Sequence, residues 1–349
     1  MNLFDTPITD AAKERVMDTL NSGRLSEGEV VKAFEVALGI RHGVAVNSGT
    51  SALHLALLLA GVGKGDEVIL PAQTFVATGL AVLYCGAKPV FADIKADGNI
   101  DPEDAYRKVT DKTKAVIAVS WGGNPCDVGV LQNRVDKPVI QDNAQAFGAT
   151  LNELPLWEHG DFSCYSFQAI KALSTGDGGL LSCPDHKTYE RAKRLRWFGI
   201  DRDRNLAGLS GERRYNLTEV GYKYHMNDYS AALGLGNLEG FSDRQARVKV
   251  IADYYNKFLF EFAVKKKEGC SYWLYDLLVQ NRSDFIRAMA DRGIPTSVVH
   301  VGIDRNDIFG WQDLPVQRQW DACHVCIPIH AGLTDEDVEN VVKGVLAGW

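Results

Sequence analysis

The chain has 349 residues, 46% of them hydrophobic and 24% charged, and a net charge of −7. This is enough for two globular domains, and an acidic balance relieved by one short basic run excludes general nucleic-acid binding. The opening Met1-Asn2-Leu3-Phe4-Asp5-Thr6-Pro7 lacks the parts of a signal peptide, and the most apolar region, Thr74 to Ala92, is broken by Gly79, Gly86, Lys88 and Pro89, so no membrane span is expected.

From Gly43 to Cys183, short β-branched runs alternate with helix-like segments. Strands are predicted at Gly43–Val46, Glu67–Leu70, Pro89–Ala92, Ala115–Ser120, Pro138–Asp142, Phe162–Ser166 and Gly179–Ser182. Helices fit between several of them, as at Ala52–Ala60 and at Pro102–Val109, the latter with Asp101 as N-cap and proline at its first position. Such alternation predicts an α/β fold with a mostly parallel sheet covered by helices on both faces. After about Gly221 the pattern changes. One long helix, roughly Asp228 to Phe260, leads to a strand at Tyr272–Val279 and a helix at Asp284–Arg292 stopped by Gly293. Thr334 caps a final helix in which Val338, Val341, Val342, Val345 and Leu346 are spaced to form one buried face. The expected division is a large domain over residues 1–225, with the N-terminal segment included, and a linking helix plus smaller α/β domain over 226–349. The basic run Lys265-Lys266-Lys267 reads as a solvated turn.

The chemistry gathers at the ends of the early strands. Asn47-Ser48-Gly49-Thr50-Ser51 lies between a strand and an apolar helix, where backbone N–H groups and hydroxyls favour an anion, although a plain helix cap has the same pattern. Phe75, just after the second strand, could stack on a flat ring or simply belong to the core. Asp142 ends an apolar strand at the edge where such sheets bind ligands; against a heteroaromatic nitrogen it would keep that nitrogen protonated, whereas alone it could be an N-cap. Gln145, three residues on, could donate to the same ring. Lys171 sits in Ser166-Phe167-Gln168-Ala169-Ile170-Lys171, an apolar segment five residues after a serine and just before Gly176-Asp177-Gly178-Gly179. A buried lysine, an aspartate at a strand end and a phosphate-binding glycine loop together point to pyridoxal phosphate, with Lys171 as the Schiff-base lysine and proton carrier and Ser166 on the phosphate. The glycine run itself precedes a strand and is no dinucleotide fingerprint. Cys323-His324-Val325-Cys326, with His330 nearby, invites a zinc reading; a single CxxC within a strand-like Val325–Ile329 is better read as core thiols, so no metal is expected. Seven scattered cysteines fit reduced thiols in a cytoplasmic protein.

The order of these motifs resembles the DegT/StrS family of pyridoxal-phosphate-dependent nucleotide-sugar aminotransferases, of fold type I in the aspartate aminotransferase superfamily. The resemblance runs through Phe34-Glu35, Asn47 to Leu53, Thr74 to Thr78, Asp142 to Ala149, Ser166 to Lys171, Gly221 to Asp228, Ala231 to Leu235 and Pro328 to Val338. It implies that Lys171 and Asp142 are catalytic and that Gly49, Thr50, Ser51, Phe75, Gln145 and Ser166 contact the cofactor. It further implies a homodimer with shared active sites, in which Lys223 reaches the neighbouring subunit's phosphate, and Trp197, His300 and His330 on the substrate side. The implied reaction moves an amino group, usually from glutamate, to a nucleotide-linked keto-sugar in the synthesis of amino sugars and surface polysaccharides. Departures fall on the substrate side: Lys223 where many members have asparagine, Ser120-Trp121-Gly122-Gly123-Asn124-Pro125 in place of an aromatic–Gly–Pro pattern, Phe198 where histidine is common, and an unusual Tyr272–Asp307. A cyclitol or another small ketone as acceptor, or a non-catalytic pyridoxal-binding regulator, are the alternatives.

Overall fold

The structure, a computed structural model, describes residues 1–202, 206–207 and 210–349. Thr9 caps α1 (Asp10–Ser22), and α2 (Glu29–Ala37) follows. The chain then alternates as β1 (Gly43–Val46), α3 (Gly49–Leu59), β2 (Glu67–Pro71), α4 (Val76–Tyr84), β3 (Lys88–Ala92), α5 (Pro102–Arg107), β4 (Thr113–Val119), α6 (Val128–Val135) and β5 (Val139–Asp142). Next come β6 (Phe162–Ser166), β7 (Gly179–Ser182) and α7 (His186–Leu195). The strands form one seven-stranded sheet in the order β1-β7-β6-β5-β4-β2-β3, parallel except that β7 runs against both of its neighbours. All the expected strands of this region are present, with ends shifted by two residues or fewer. Asp101 caps α5 as expected, accepting from the Glu103 N–H.

Alternation along the strands feeds two apolar layers. Val68 and Leu70 of β2 and Ile117 of β4 pack with α3 on one face. Ile69, Val116 and Ala118 face the other way, against Ala105 of α5 and Leu131 of α6. A sheet buried on both sides leaves its strand ends as the natural place for a ligand. Here the carboxyl ends of β1, β2, β5 and β6 open onto one region.

The remaining elements are α8 (Asp228–Leu238), α9 (Phe241–Phe258), β8 (Tyr275–Leu278), α10 (Arg282–Asp291), α11 (Pro315–Cys323), β9 (His324–Ile327) and α12 (Asp335–Leu346). The expected single helix over Asp228–Phe260 is therefore two. Gly240 adopts φ +69°, a left-handed conformation that ends the α8 register, and α9 restarts beyond it. The break has a packing consequence: α8 lies against α1 and α2, whereas Val248, Ile251, Ala252 and Tyr255 of α9 join a second core built with β8, β9, α10 and α12. The strand expected from Tyr272 begins only at Tyr275, because Tyr272 itself is left-handed at φ +51°. The one expected at Val325–Ile329 ends before Pro328, which cannot donate to a ladder. Gly293, at φ +70°, follows α10 as expected. In α12 the Thr334 capping box forms and the four valines are buried, but Leu346 is 55% exposed, past the point where the helix leaves the core.

The basic run is not a solvated turn. The Lys266 side chain is 3% exposed and pairs with the fully buried Asp276 of β8, while Lys267 pairs with Asp127 at 2.7 Å. All seven cysteines are free thiols. Among the described residues, no helix is long and apolar enough to cross a membrane.

Candidate active site

A cavity of about 420 Å³ lies at the strand ends, lined among others by Gly49, Thr50, Phe75, Thr78, Asp142, Gln145, Ser166, Lys171, Trp273 and His300. Asp142, the last residue of β5, is held from two sides: one carboxylate oxygen accepts from the Thr78 hydroxyl (2.7 Å), the other from the Ala144 N–H (3.1 Å). Burial pushes its pKa up, while those two hydrogen bonds and the Lys171 charge pull the other way. Thr78 is oriented in turn by the Thr74 hydroxyl at 2.7 Å, one helical turn earlier.

Lys171 lies in a tight connection between β6 and β7. Its N–H donates to the Gln168 carbonyl, and Phe167 exchanges backbone bonds with Gly178 and Thr175, so the segment is closed on itself. Burial lowers the lysine pKa to about 8, opposed by Asp142. No carboxylate among the described residues forms an ion pair with it; its Nζ instead sits 3.7 Å from the centre of the Trp273 ring. A buried amine near the neutral–charged balance is suited to bond a carbonyl and to carry protons.

Gln145 accepts from the Gly122 N–H at 2.7 Å through its carbonyl oxygen, which leaves its amide N–H groups for the cavity. At the start of α3, the Ser48 hydroxyl takes the Ser51 N–H (3.1 Å). The N–H groups of Gly49 and Thr50 have no partner within the helix, so they remain for an anion. A Cβ on Gly49 would stand 2.9 Å from that of Ser166, so only glycine lets the serine close on this turn. Phe75 is 53% exposed, and its ring lies 5.2 Å from that of His300, tilted by 38°. Burial, then the nearby Lys171 charge, lowers the His300 pKa to about 4, leaving a neutral imidazole. The residue before it is strained. Val299, β-branched, has φ +57°, and the His300 N–H donates back to the Val298 carbonyl at 2.6 Å in a three-residue turn. Gln73, bonded to Gln317 at 2.7 Å, reaches the His300 carbonyl at 3.3 Å and anchors the turn.

Four residues expected at the site lie elsewhere in this chain. The Ser51 hydroxyl is turned away, donating to Asn47 at 2.6 Å. Lys223 is exposed; its neighbours in the chain, Tyr222 and Tyr224, stack their rings on each other, and its carbonyl accepts from Asn47 at 3.2 Å. Trp197 packs on His225, with ring centres 3.7 Å apart, beside a separate space lined by Glu27 and Arg196. His330 meets the Asn2 carbonyl at 3.1 Å, in a smaller space behind Trp273. Conversely, Thr78 and Trp273 escaped the sequence reading. A threonine one helical turn from Thr74 on an apolar helix was the available signal for the first; nothing in the sequence marked the second.

A second buried lysine lies nearby with opposite character. Asp276 receives Lys266, His324 (2.6 Å), the Trp121 indole N–H (3.2 Å) and the Cys326 thiol (3.3 Å). Ligand-type atoms of Asp276, His324 and Cys326 cluster within 4.8 Å, but the Lys266 ammonium already supplies the carboxylate's counter-charge. Burial works against both charges, yet the pair wins: Lys266 is raised, and Asp276 is held well below the usual carboxylate range.

These residues fit pyridoxal phosphate: a buried, unpaired amine, a buried carboxylate fixed from behind, an amide, an aromatic face and an anion cradle share one cavity. Comparison with known proteins agrees. Residues 7–346 match the DegT/DnrJ/EryC1/StrS aminotransferase family, which is dependent on pyridoxal phosphate. The chain is 35% identical to the spore coat polysaccharide biosynthesis protein SpsC of Bacillus subtilis, over 95% of this chain and 92% of that one. It is 30% identical to GDP-perosamine synthase of Escherichia coli O157:H7, over 98% and 97%. Among solved structures, the sugar aminotransferase CalS13 of Micromonospora echinospora superposes with a TM-score of 0.94 at 33% identity, each chain fully covered. Spr1654 of Streptococcus pneumoniae, 28% identical and solved in a PMP form, superposes with a TM-score of 0.92 over 99% of this chain and 98% of that one. It is also solved in a PLP form.

Proposed function

The chain belongs to the DegT/DnrJ/EryC1/StrS aminotransferase family, and from that membership we propose that it uses pyridoxal phosphate to move an amino group from glutamate to a nucleotide-linked keto-sugar, in the making of amino sugars for surface polysaccharides. The observation that carries this reading is Lys171, buried without a counter-ion in the same cavity as Asp142.

When bound, the cofactor supplies an electron sink that lets a proton leave the carbon bearing the nitrogen. Asp142 would keep the ring nitrogen protonated, and the Thr78 and Ala144 hydrogen bonds fix its carboxylate for that role. Gln145, with its amide N–H groups free, would donate to the cofactor ring, and Phe75 would pack against it. Gly49, Thr50 and Ser166 would hold the phosphate; Ser51 supports that turn by ordering Asn47 and the helix cap. Lys171, once its amine is free, would take a proton at Nζ from the carbon bearing the nitrogen and return it to the carbon on the nitrogen's other side, which a pKa of about 8 permits near neutral pH. We place His300 beside the sugar as a neutral hydrogen-bonding group. Lys223, Trp197 and His330 lie off this chain's own cavity, and we assign Lys223 and Trp197 to a homodimer in which each subunit completes the other's site; His330 is kept on the substrate side. Seven free thiols accord with a cytoplasmic enzyme.

The test is to load the protein in its pyridoxamine form and offer keto-sugar nucleotides, free keto-sugars and cyclitol ketones. Return of the visible band with the nucleotide-linked sugars supports the reading; return only with cyclitol ketones or other free ketones contradicts it.

A further inference from the structure

Ile170, Lys171 and Trp273 form the wall between the main cavity and a smaller space of about 60 Å³ under the N-terminal segment. The Trp273 indole is fixed in that wall. Its N–H donates to the Ile170 carbonyl at 2.8 Å, and Phe4 stacks on it at 5.3 Å, 22° from parallel. The bend that carries it is tied to the glycine turn, with the Ser271 and Leu274 N–H groups donating to Gly123 and Gly122. Gly123, at φ +89°, has no room for a side chain: a Cβ would meet the Ser271 hydroxyl at 2.5 Å. Everything about this indole is arranged to present a rigid face, and what lies over that face is the Lys171 Nζ.

We propose that Trp273 is a positioning residue for Lys171, its indole face receiving the ε-amine whenever that amine is not bonded to the cofactor. The inference rests on the reading of Lys171 given above. The face of an indole is electron-rich and favours an ammonium over an amine, whereas burial favours the amine. The other titratable or charged groups around Lys171 are Asp142, Asp177 and His300 on the cavity side, and Asp5, Arg244, Tyr272 and His330 on the other. None of them forms an ion pair with Lys171; the Asp142 charge, acting at a distance, and the ring face, in direct contact, both favour the protonated amine. Trp273 thereby holds Nζ in one place and near balance between its two forms, as a group that takes and gives the same proton requires.

The test uses the cofactor-free protein, so it does not depend on turnover. Lys171 is acylated with short pulses of acetic anhydride at a series of pH values, and its modification is measured by peptide mapping. The wild-type midpoint is expected near 8. Trp273→Leu should lower it by roughly half to one pH unit, Trp273→Phe should restore most of that shift, and Phe4→Ala should give a smaller shift in the same direction. An unchanged or raised midpoint in Trp273→Leu, with circular dichroism like the wild type, overturns the proposal. Should that variant not fold, an unchanged or raised midpoint in Phe4→Ala overturns it equally. Failure of the cofactor reading would show separately, as a protein that never gains a visible band on adding pyridoxal phosphate.

Discussion

Two buried lysines in this chain face two buried aspartates, and the pairs behave in opposite ways. Lys266 touches Asp276, which also accepts from His324, Trp121 and Cys326; every charge is answered, and both pKa values move so as to keep the charges. Lys171 and Asp142 share a cavity without pairing; the lysine is pulled down, the aspartate pushed up, and both lean toward neutrality. Residue types are the same in the two places, and both aspartates are buried. The difference is satisfaction: the core pair is complete within the protein, whereas the site pair waits for another molecule. Unanswered buried charge, and not burial itself, marks the functional site.

The contrast can be broken at either end. The largest effect is expected from Lys266→Met, which leaves Asp276 charged and unpaired in the second core; denaturant unfolding should show a loss of about 3–5 kcal/mol. The Asp276 contribution to wild-type stability is present above its ordinary value of 3.8 and fades as pH falls through its lower folded value. A Lys266→Met protein as stable as wild type would remove the contrast. Next, Asp142→Ala should retain some cofactor but lose roughly 100- to 1,000-fold in turnover, consistent with the loss of a buried electrostatic contact; near-normal turnover would show that the carboxylate does not act on the ring.

The third test reverses the sign of the first. Lys171 has its folded pKa lowered from 10.5 to about 8, so between those values the unfolded chain holds the proton more tightly and stability rises with pH. Below pH 8 the buried amine therefore destabilises the cofactor-free fold, on the order of 3 kcal/mol. Cofactor-free Lys171→Met should be more stable than wild type at pH 7, with the gap closing as pH approaches 10. A destabilised Lys171→Met would place this lysine with Lys266. The smallest effect concerns backbone strain beside the site. Val299→Gly relieves the positive φ but gives up the valine's packing and adds entropy to the unfolded chain, so stability should change by less than about 1 kcal/mol while turnover falls through a looser His300. A loss of about 2 kcal/mol or more would mean that the turn stores little strain.

Much of this was legible in the sequence, for local reasons. The sheet strands are short apolar runs between turn residues, and burial on both faces keeps such runs nearly continuous. Lys171 and Asp142 stood out because each is a charged residue at the edge of an apolar segment. What failed depends on tertiary context. Gly240 falls inside the stretch expected as one helix, and only its left-handed backbone shows that it divides α8 from α9. Lys266 was hidden by its flanking lysines; the better clue was Asp276 between Tyr275 and Leu277, a carboxylate at an apolar strand position that needs a cation. Trp273 could not be found, because its role comes from a contact between residues 102 positions apart in the chain. Lys223 and Trp197, read from resemblance, take positions that one chain does not draw into its own cavity.

The central claim is that position 171, and not the other buried lysine, bonds the cofactor. Borohydride reduction of pyridoxal-phosphate-loaded protein, followed by peptide mapping, tests it directly. The account predicts a stable adduct on Lys171 and an unmodified Lys266; an unmodified Lys171, wherever else the label falls, would contradict it.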